Sequence, residues 1–94
     1  VYVVNRGEQA EATALQLARE LRRAGATVQL DDSGSAFSKQ FKRADRCSAK
    51  QALVIGDDEV KSGVVRLRAL HNQEQDMTFS IGDIDAIVTY LKRD

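Results

Sequence analysis

The first 31 residues contain the pattern that most restricts the fold: a strand, an amphipathic helix and a second strand in succession. The apolar, β-branched run Val1–Asn5 is typical of a strand that is buried on both faces. A helix is predicted over Glu8–Ala24, where the apolar residues recur on one helical face. Val28 and Leu30 alternate with polar residues in a strand predicted over Thr27–Asp31. Because such a unit places its strands parallel with a right-handed crossover, the sequence predicts an α/β fold.

The rest of the chain adds further strands and helices. Gln51–Ile55 is predicted to be a buried strand, and Asp57–Gly63 a short helical turn. Val64–Leu70 and Met77–Ile81 are predicted to form a hairpin, joined by a polar turn over Asn72–Asp76. A last helix has an apolar face formed by Ile84, Ile87, Val88 and Leu91. With 94 residues, no proline and no repeat, the sequence predicts a single domain over residues 1–94.

A short basic helix is predicted over Ser35–Arg46, with Ser33 or Ser35 as its N-cap. At about 100° per residue, one stripe of this helix carries four cations, Lys39, Lys42, Arg43 and Arg46. The opposite stripe is apolar and is expected to seat the helix on the core through Phe37, Phe41 and Ala44. A face that serves solubility alone usually mixes both charge signs, so this stripe favours a polyanionic ligand.

Two arginines extend this positive surface. Arg66 and Arg68 alternate with apolar residues in the strand predicted over Val64–Leu70, so both are expected on its exposed face. The overall charge gives no such signal, because 14 lysines and arginines balance 14 acidic residues. Single-stranded RNA is bound through phosphate contacts and hydrogen bonds to base edges. Since the helix phenylalanines are expected to point inward, the sequence favours a mainly polar readout.

Catalytic and metal-binding chemistry finds little support in the sequence. Cys47 and His71 are the single residues of their types and lie on different predicted elements, which disfavours a thiol–imidazole pair. Cys47 is expected to be a small, at least half-buried side chain, and its isolation fits a cytoplasmic setting. The consecutive acids Asp57, Asp58 and Glu59 lack the ligand spacing of a calcium loop. The chain also contains no glycine-rich phosphate-binding motif and no apolar run of membrane-spanning length.

The chain begins at Val1, inside an apolar run and without an initiating methionine. A native start within a buried strand would be unusual. We therefore expect this sequence to be a fragment from the C-terminal part of a larger protein, carrying only part of that protein's function.

Several local strings, in this order, carry a resemblance to a known family. They are LRRAG at Leu21–Gly25 leading to VQLD, SKQFKRAD at Ser38–Asp45, LVIGDDE at Leu53–Glu59 and GVVRLR at Gly63–Arg68. Together they resemble the C-terminal anticodon-binding domain of class II aminoacyl-tRNA synthetases, most closely the form in histidyl-tRNA synthetases. The resemblance covers essentially the whole chain.

The resemblance implies both a fold and a function. The fold would be a three-layer α/β/α anticodon-binding fold, with three helices and a five-stranded mixed sheet of order 2-1-3-4-5, strand 4 antiparallel. The function would be recognition of a tRNA anticodon stem-loop, while a separate catalytic domain of the same chain, using ATP and magnesium, attaches histidine. No cofactor is expected in the present domain. The parent protein would be a cytoplasmic homodimer without membrane association.

The resemblance also assigns roles to individual residues. The anticodon-contacting positions of the family correspond to Lys42, Glu59 and Arg68, and less closely to Lys39 and the turn at residues 33–35. A carboxylate accepts hydrogen bonds from base amino or imino groups, and an arginine binds a guanine edge or a phosphate through two donors. The full candidate tRNA-binding set is therefore Lys39, Lys42, Arg43, Glu59, Arg66 and Arg68, with no catalytic residue and no metal ligand.

The sequence is compatible with two other functions. The first is a regulatory or interaction module with the same fold, resembling those of synthetase-like paralogues or starvation-sensing kinases. The second is an independent small α/β enzyme, which the missing catalytic constellation disfavours. Motifs elsewhere in the parent protein would separate the first alternative from a synthetase.

Overall fold

The computed structural model describes residues 1–71 and 75–92, in which five strands and four helices are formed. In chain order these are β1 (Tyr2–Arg6), α1 (Glu8–Arg23), β2 (Gln29–Leu30), α2 (Phe37–Arg46), β3 (Gln51–Gly56), α3 (Asp57–Ser62), β4 (Val64–Ala69), β5 (Met77–Ser80) and α4 (Ile84–Leu91). Each element predicted from the sequence is present, with ends shifted by one or two residues. The largest difference is at β2, which is predicted over Thr27–Asp31 and has only the two residues Gln29–Leu30. Residues 72–74 of the polar turn predicted over Asn72–Asp76 lie outside the described residues.

The five strands form one sheet in the order β2-β1-β3-β4-β5. β1 pairs in parallel with β2 and β3, whereas β4 is antiparallel to β3 and β5, which confirms the mixed sheet that the resemblance implies. The described residues contain four helices instead of three, because the turn predicted over Asp57–Gly63 closes into the six-residue helix α3. Glu59 Oε1 accepts a hydrogen bond from Gly56 N at 2.8 Å at the start of α3. Gly63 ends the helix at φ 71°, a left-handed conformation that glycine adopts without strain.

Helices cover both faces of the sheet and give it three layers. On one face, α1, α3 and α4 enclose the larger core, in which the fully buried large side chains are Val3, Leu17, Leu21, Leu53, Ile55, Val65 and Ile87. On the other face, α2 packs on a smaller core formed by Tyr2, Val4, Ala44 and Val54. β1 therefore contributes buried side chains to both cores, as its sequence predicts. No helix among the described residues has the length and apolar character needed to cross a bilayer.

Gln40 of α2 completes the hydrogen bonding of β1 beyond the end of β2. Where these two strands part, Asp31 N donates to Val3 O at 3.0 Å. Two residues further on, Gln40 Nε2 donates to Asn5 O at 2.7 Å and Gln40 Oε1 accepts from Asn5 N at 2.8 Å. The same amide nitrogen donates to Ser35 O at 2.7 Å. Because Gln40 is completely buried, its side chain fixes α2 in one position against the sheet.

Candidate nucleic-acid interface

The sheet face that carries α2 remains open on the side of β4 and β5. Among the described residues, α2 packs on this face against side chains of β1 and β3. In β4, Val65 and Leu67 are buried towards the larger core, while Arg66 and Arg68 point to the α2 face and are exposed. Thr78 of β5 pairs with Arg66 and is also exposed. This arrangement confirms the basic outer face predicted for β4.

Two half-buried phenylalanines of α2 border this open surface. The rings of Phe37 and Phe41 lie with their centroids 6.5 Å apart and are tilted by 41°. Phe37 lies beside Gly56 at the end of β3, and Arg68 Cζ lies 5.2 Å from the centroid of the Phe41 ring. Both rings pack against the smaller core, as predicted, but neither is fully buried. An arginine–aromatic contact therefore joins β4 to α2.

The cations of β4 each lie close to a carboxylate. Arg66 Nη2 is 3.9 Å from Glu59 Oε2, and Arg68 Nη2 is 3.4 Å from Asp76 Oδ2. The Glu59 side chain is 16% exposed, and its other oxygen is held by the backbone of Gly56. The structure thus brings Glu59, Arg66 and Arg68 into one surface. Because each arginine has an acidic neighbour, this surface offers donors and acceptors more than net positive charge.

The net positive charge comes from the lysines of α2. Lys39 and Lys42 are exposed, and neither forms an ion pair with another described residue. Asp45, three residues after Lys42, has its Oδ1 3.9 Å from His71 Nδ1, just beyond β4. Residues three apart share one side of a helix, so Lys42 lies on the flank of α2 that faces β4. Lys39 lies one turn earlier on the solvent side of the helix.

Arg43 lies on the opposite flank of α2 and contacts the turn after β2. Its Nη1 donates to Asp31 Oδ2 at 3.0 Å and to Ser33 Oγ at 2.8 Å, and its Nη2 donates to Ser35 Oγ at 3.1 Å. The Asp31 side chain is 1% exposed and also accepts a hydrogen bond from the Tyr2 hydroxyl at 2.7 Å. The cations of the predicted stripe therefore lie in different environments. Arg43 orders the turn, whereas Lys42 is exposed on the flank of α2 nearer β4.

Two titratable groups in this network have shifted pKa values. Burial alone would raise the pKa of Asp31, but hydrogen bonds from Ser33, Tyr2 and Arg43 outweigh it and hold that pKa below its usual range. Burial, followed by the hydrogen bond to Asp31, raises the pKa of Tyr2. Asp31 is therefore a charged acceptor and Tyr2 a neutral donor at neutral pH. This ion-paired network gives Arg43 a structural role in addition to its predicted place on the cationic stripe.

Three residues central to this architecture carry no local sequence signal that identifies their role. Gln40 falls beside the apolar stripe of its helix, and its role depends on Asn5, which is distant in sequence. Asp31 and Tyr2 appear in the sequence as a turn residue and a strand residue, 29 positions apart. Their partnership depends on the register of β1 against β2, in which Tyr2 pairs with Gln29, and no local pattern encodes that register.

Two predictions about local structure are wrong. Neither Ser33 nor Ser35 caps α2, whose N-cap is Ala36 without a side-chain hydrogen bond. Their hydroxyl groups accept hydrogen bonds from Arg43 instead. Cys47 is exposed and not half-buried, because α2 ends at Arg46 and Cys47 follows as its C-cap outside the packed stripe.

The assembled surface has the chemistry of a single-stranded nucleic-acid site. Exposed lysines on α2 suit phosphates, and the guanidinium and carboxylate groups of Arg66, Arg68 and Glu59 suit base edges. In the described part of the chain, no group of three histidine, cysteine or acidic side chains has the arrangement needed to hold a metal ion.

Comparison with known proteins gives a consistent result. The family model described as "Anticodon binding domain" matches residues 1–93. The histidine–tRNA ligase of Parasynechococcus marenigrum (strain WH8102) is 57% identical over 91 residues, covering 97% of this chain and 21% of that ligase. The crystal structure of apo S. aureus histidyl-tRNA synthetase matches with a TM-score of 0.80 and 31% identity, covering 97% of this chain and 25% of that one.

A further match concerns the fold alone. The RNA-binding domain of threonyl-tRNA synthetase from Cryptosporidium parvum Iowa II has a TM-score of 0.83 at 24% identity, covering 95% of this chain and 22% of that one. This chain spans about a fifth of the length of the curated relatives that it matches. The family match, in contrast, includes nearly all of its residues and confirms the resemblance found in the sequence. The chain belongs to the anticodon-binding domain family, in the form found in histidine–tRNA ligases.

Proposed function

We propose that this chain binds the anticodon stem-loop of a tRNA as the anticodon-reading part of a histidine–tRNA ligase. The observation that most supports this is the open sheet face, where Glu59, Arg66 and Arg68 lie beside the exposed lysines of α2. RNA loops present phosphates and unpaired bases together. A surface with separate phosphate-binding and base-binding groups matches both.

The two parts of this surface would have different tasks. Lys39 and Lys42 carry ammonium groups without an ion-pair partner among the described residues, so they can neutralise phosphates at little cost. Arg66 Nη2 lies 3.9 Å from Glu59 Oε2, so the two side chains present donors and acceptors side by side on this face. Phosphate contacts position an RNA, whereas contacts to base edges select its sequence. We therefore assign affinity mainly to the lysines and anticodon selectivity mainly to Arg66 and Glu59.

The complete protein is the second part of the proposal. Since the chain spans about a fifth of its curated relatives, we propose that a catalytic domain elsewhere in the same protein attaches histidine to the tRNA. ATP and magnesium would act in that domain, in a cytoplasmic homodimer. Titration calorimetry of this chain with magnesium–ATP is expected to give no binding heat. Saturable binding at micromolar ATP would contradict this division.

Binding of stem-loop RNA tests the central proposal. Fluorescence anisotropy would compare a stem-loop carrying the histidine anticodon with one carrying the same loop bases in scrambled order, each at several salt concentrations. Lys42→Ala is expected to weaken both RNAs similarly and to reduce the slope of log affinity against log salt by about 1. Arg66→Ala is expected to cost about 1–3 kcal/mol with the histidine anticodon and less with the scrambled loop.

A matched control lies on the other side of the sheet. Arg19 is an exposed cation of α1, which packs on the face opposite α2. Arg19→Ala removes the same unit of charge and is expected to leave both affinities nearly unchanged. Equal affinity for the two loops would refute anticodon reading, and equal losses from Arg19→Ala and Lys42→Ala would refute the assigned face.

A further inference from the structure

The guanidinium group of Arg68 lies over the face of an aromatic ring. Its Cζ atom is 5.2 Å from the centroid of Phe41, a distance at which the ring quadrupole attracts the cation. The Arg68 side chain nevertheless remains 45% exposed. Since its Cζ lies over the Phe41 ring, that ring covers one side of the guanidinium group, and the exposed remainder is open to a ligand.

Asp76 restricts what the edges of this guanidinium can do. Arg68 Nη2 lies 3.4 Å from Asp76 Oδ2, so one terminal nitrogen already has a carboxylate acceptor. Two-donor recognition of a guanine edge or a phosphate uses two guanidinium nitrogens side by side. At Arg68 such recognition competes with Asp76, whereas stacking on the outer face does not.

We propose that Phe41 and Arg68 form a stacking platform for one unpaired nucleobase of the RNA. The guanidinium would lie between the phenyl ring and the base, so that Phe41 acts through the orientation of Arg68. This inference rests on the proposed function, because it concerns how the same surface holds its RNA. It assigns to Arg68 a stacking role in place of the two-donor contact expected from the sequence.

The chemistry of the platform defines the ligand class. Every nucleobase has a π face that stacks on a guanidinium plane, so the platform favours flat, unpaired bases without selecting one of the four. Its neighbours Arg66 and Glu59 present donors and acceptors from the same face and remain the groups that distinguish bases. Phe41 therefore serves both the smaller core, through its buried side, and the RNA, through Arg68.

Two variants separate stacking from charge. Arg68→Lys keeps the positive charge and removes the plane, and Phe41→Leu keeps an apolar side chain in the core and removes the ring. Phe79→Leu is the matched control, because Phe79 packs against the larger core on the opposite face, 5.7 Å from the Tyr90 ring. Thermal unfolding of each variant would verify that it is folded at the binding temperature.

The probe is the histidine-anticodon stem-loop with 2-aminopurine placed at one loop position at a time. The fluorescence of this base depends on how it is stacked, so binding to the unsubstituted chain is expected to change its emission at one or more loop positions. Arg68→Lys and Phe41→Leu are expected to abolish the change at the position that stacks on Arg68 and to weaken binding between about 5-fold and 100-fold. Arg68→Lys is expected to leave the salt slope unchanged, and Phe79→Leu to leave the emission change intact.

The outcomes distinguish this inference from the proposed function. If the unsubstituted chain binds the stem-loop with strong salt dependence but Arg68→Lys binds equally well, Arg68 contacts a phosphate and the platform is refuted. Arg68 lies on an exposed strand face, so Arg68→Lys gives this answer even if Phe41→Leu does not fold. If the unsubstituted chain does not bind the stem-loop at all, the proposed function and the platform both fail.

Discussion

Replacing Gln40 with leucine would remove the amide that joins α2 to β1. Leucine has nearly the same size as glutamine and suits a helix, so the substitution leaves shape and helix propensity almost unchanged. Its main effect is the loss of hydrogen bonds. Asn5 N and Asn5 O would lose their partner in a site where Asn5 is 3% exposed, and Ser35 O would lose one in a half-buried site.

The loss of stability in Gln40→Leu comes from these three backbone groups without a hydrogen-bond partner. A buried polar group without a partner costs about 1–3 kcal/mol, and we take about 1–2 kcal/mol each because the α2–sheet junction can relax. The sum is about 3–6 kcal/mol, of which the buried leucine side chain recovers about 1 kcal/mol. The expected net loss is about 2–5 kcal/mol, a large part of the roughly 5–15 kcal/mol typical of domains. For a domain of this length it corresponds to a fall in Tm of about 10–25 °C.

Urea-induced unfolding followed by circular dichroism measures this loss directly, with thermal melts as a second measure. Gln16→Leu is the matched control, since Gln16 is an exposed residue in the middle of α1. The control is expected to change the free energy of unfolding by less than about 0.5 kcal/mol. A Gln40→Leu variant as stable as the control would show that Gln40 does not hold β1, and the reasoning would be refuted.

Three further predictions concern stability. The lowered pKa of Asp31 stabilises the folded chain above the pKa of an unfolded carboxyl, about 4. This stability is lost as pH falls below that value, so the stability of Asp31→Asn, measured by urea unfolding, should decline less steeply in acid. An equal decline would refute this. The raised pKa of Tyr2 adds stability that is lost as pH rises above about 10. The free energy of unfolding of Tyr2→Phe should therefore decline less steeply at alkaline pH. An unchanged slope of this free energy against pH would contradict the prediction. Gly63→Ala should cost about 1–2 kcal/mol of stability because Gly63 has φ 71°. Gly82→Ala, where an added methyl meets open space, should cost less than about 0.5 kcal/mol in the same melts. Equal costs would exclude backbone strain.

Local periodicity was sufficient to predict most of the secondary structure. The apolar residues that recur on one face of the α1 sequence are all buried, namely Ala10, Ala14, Leu17, Ala18 and Leu21. A long amphipathic helix has one stable way to pack on a sheet, with its apolar face inward. In β4 the alternation of apolar and charged residues correctly predicted that Arg66 and Arg68 are exposed. The strand order came from the resemblance, since parallel pairing alone does not fix it.

Local periodicity does not predict contacts between residues that are distant in the sequence. Gln40 meets Asn5 across 35 positions, and its burial depends on how short β2 is, which a helical pattern cannot indicate. Arg43 shares its stripe with Lys42 in sequence, yet the turn after β2 provides Asp31 as its partner. The aromatic contact of Arg68 likewise depends on where α2 crosses the sheet.

The alternation of β4 also has an evolutionary consequence. Val65 and Leu67 are buried in the larger core on one side of this strand, while Arg66 and Arg68 on the other side are exposed and lie outside that core. Exchanging the outward pair would therefore leave the larger core intact. The same fold recurs in the RNA-binding domain of a threonyl-tRNA synthetase at 24% identity, so this arrangement of strands and helices tolerates extensive exchange of side chains.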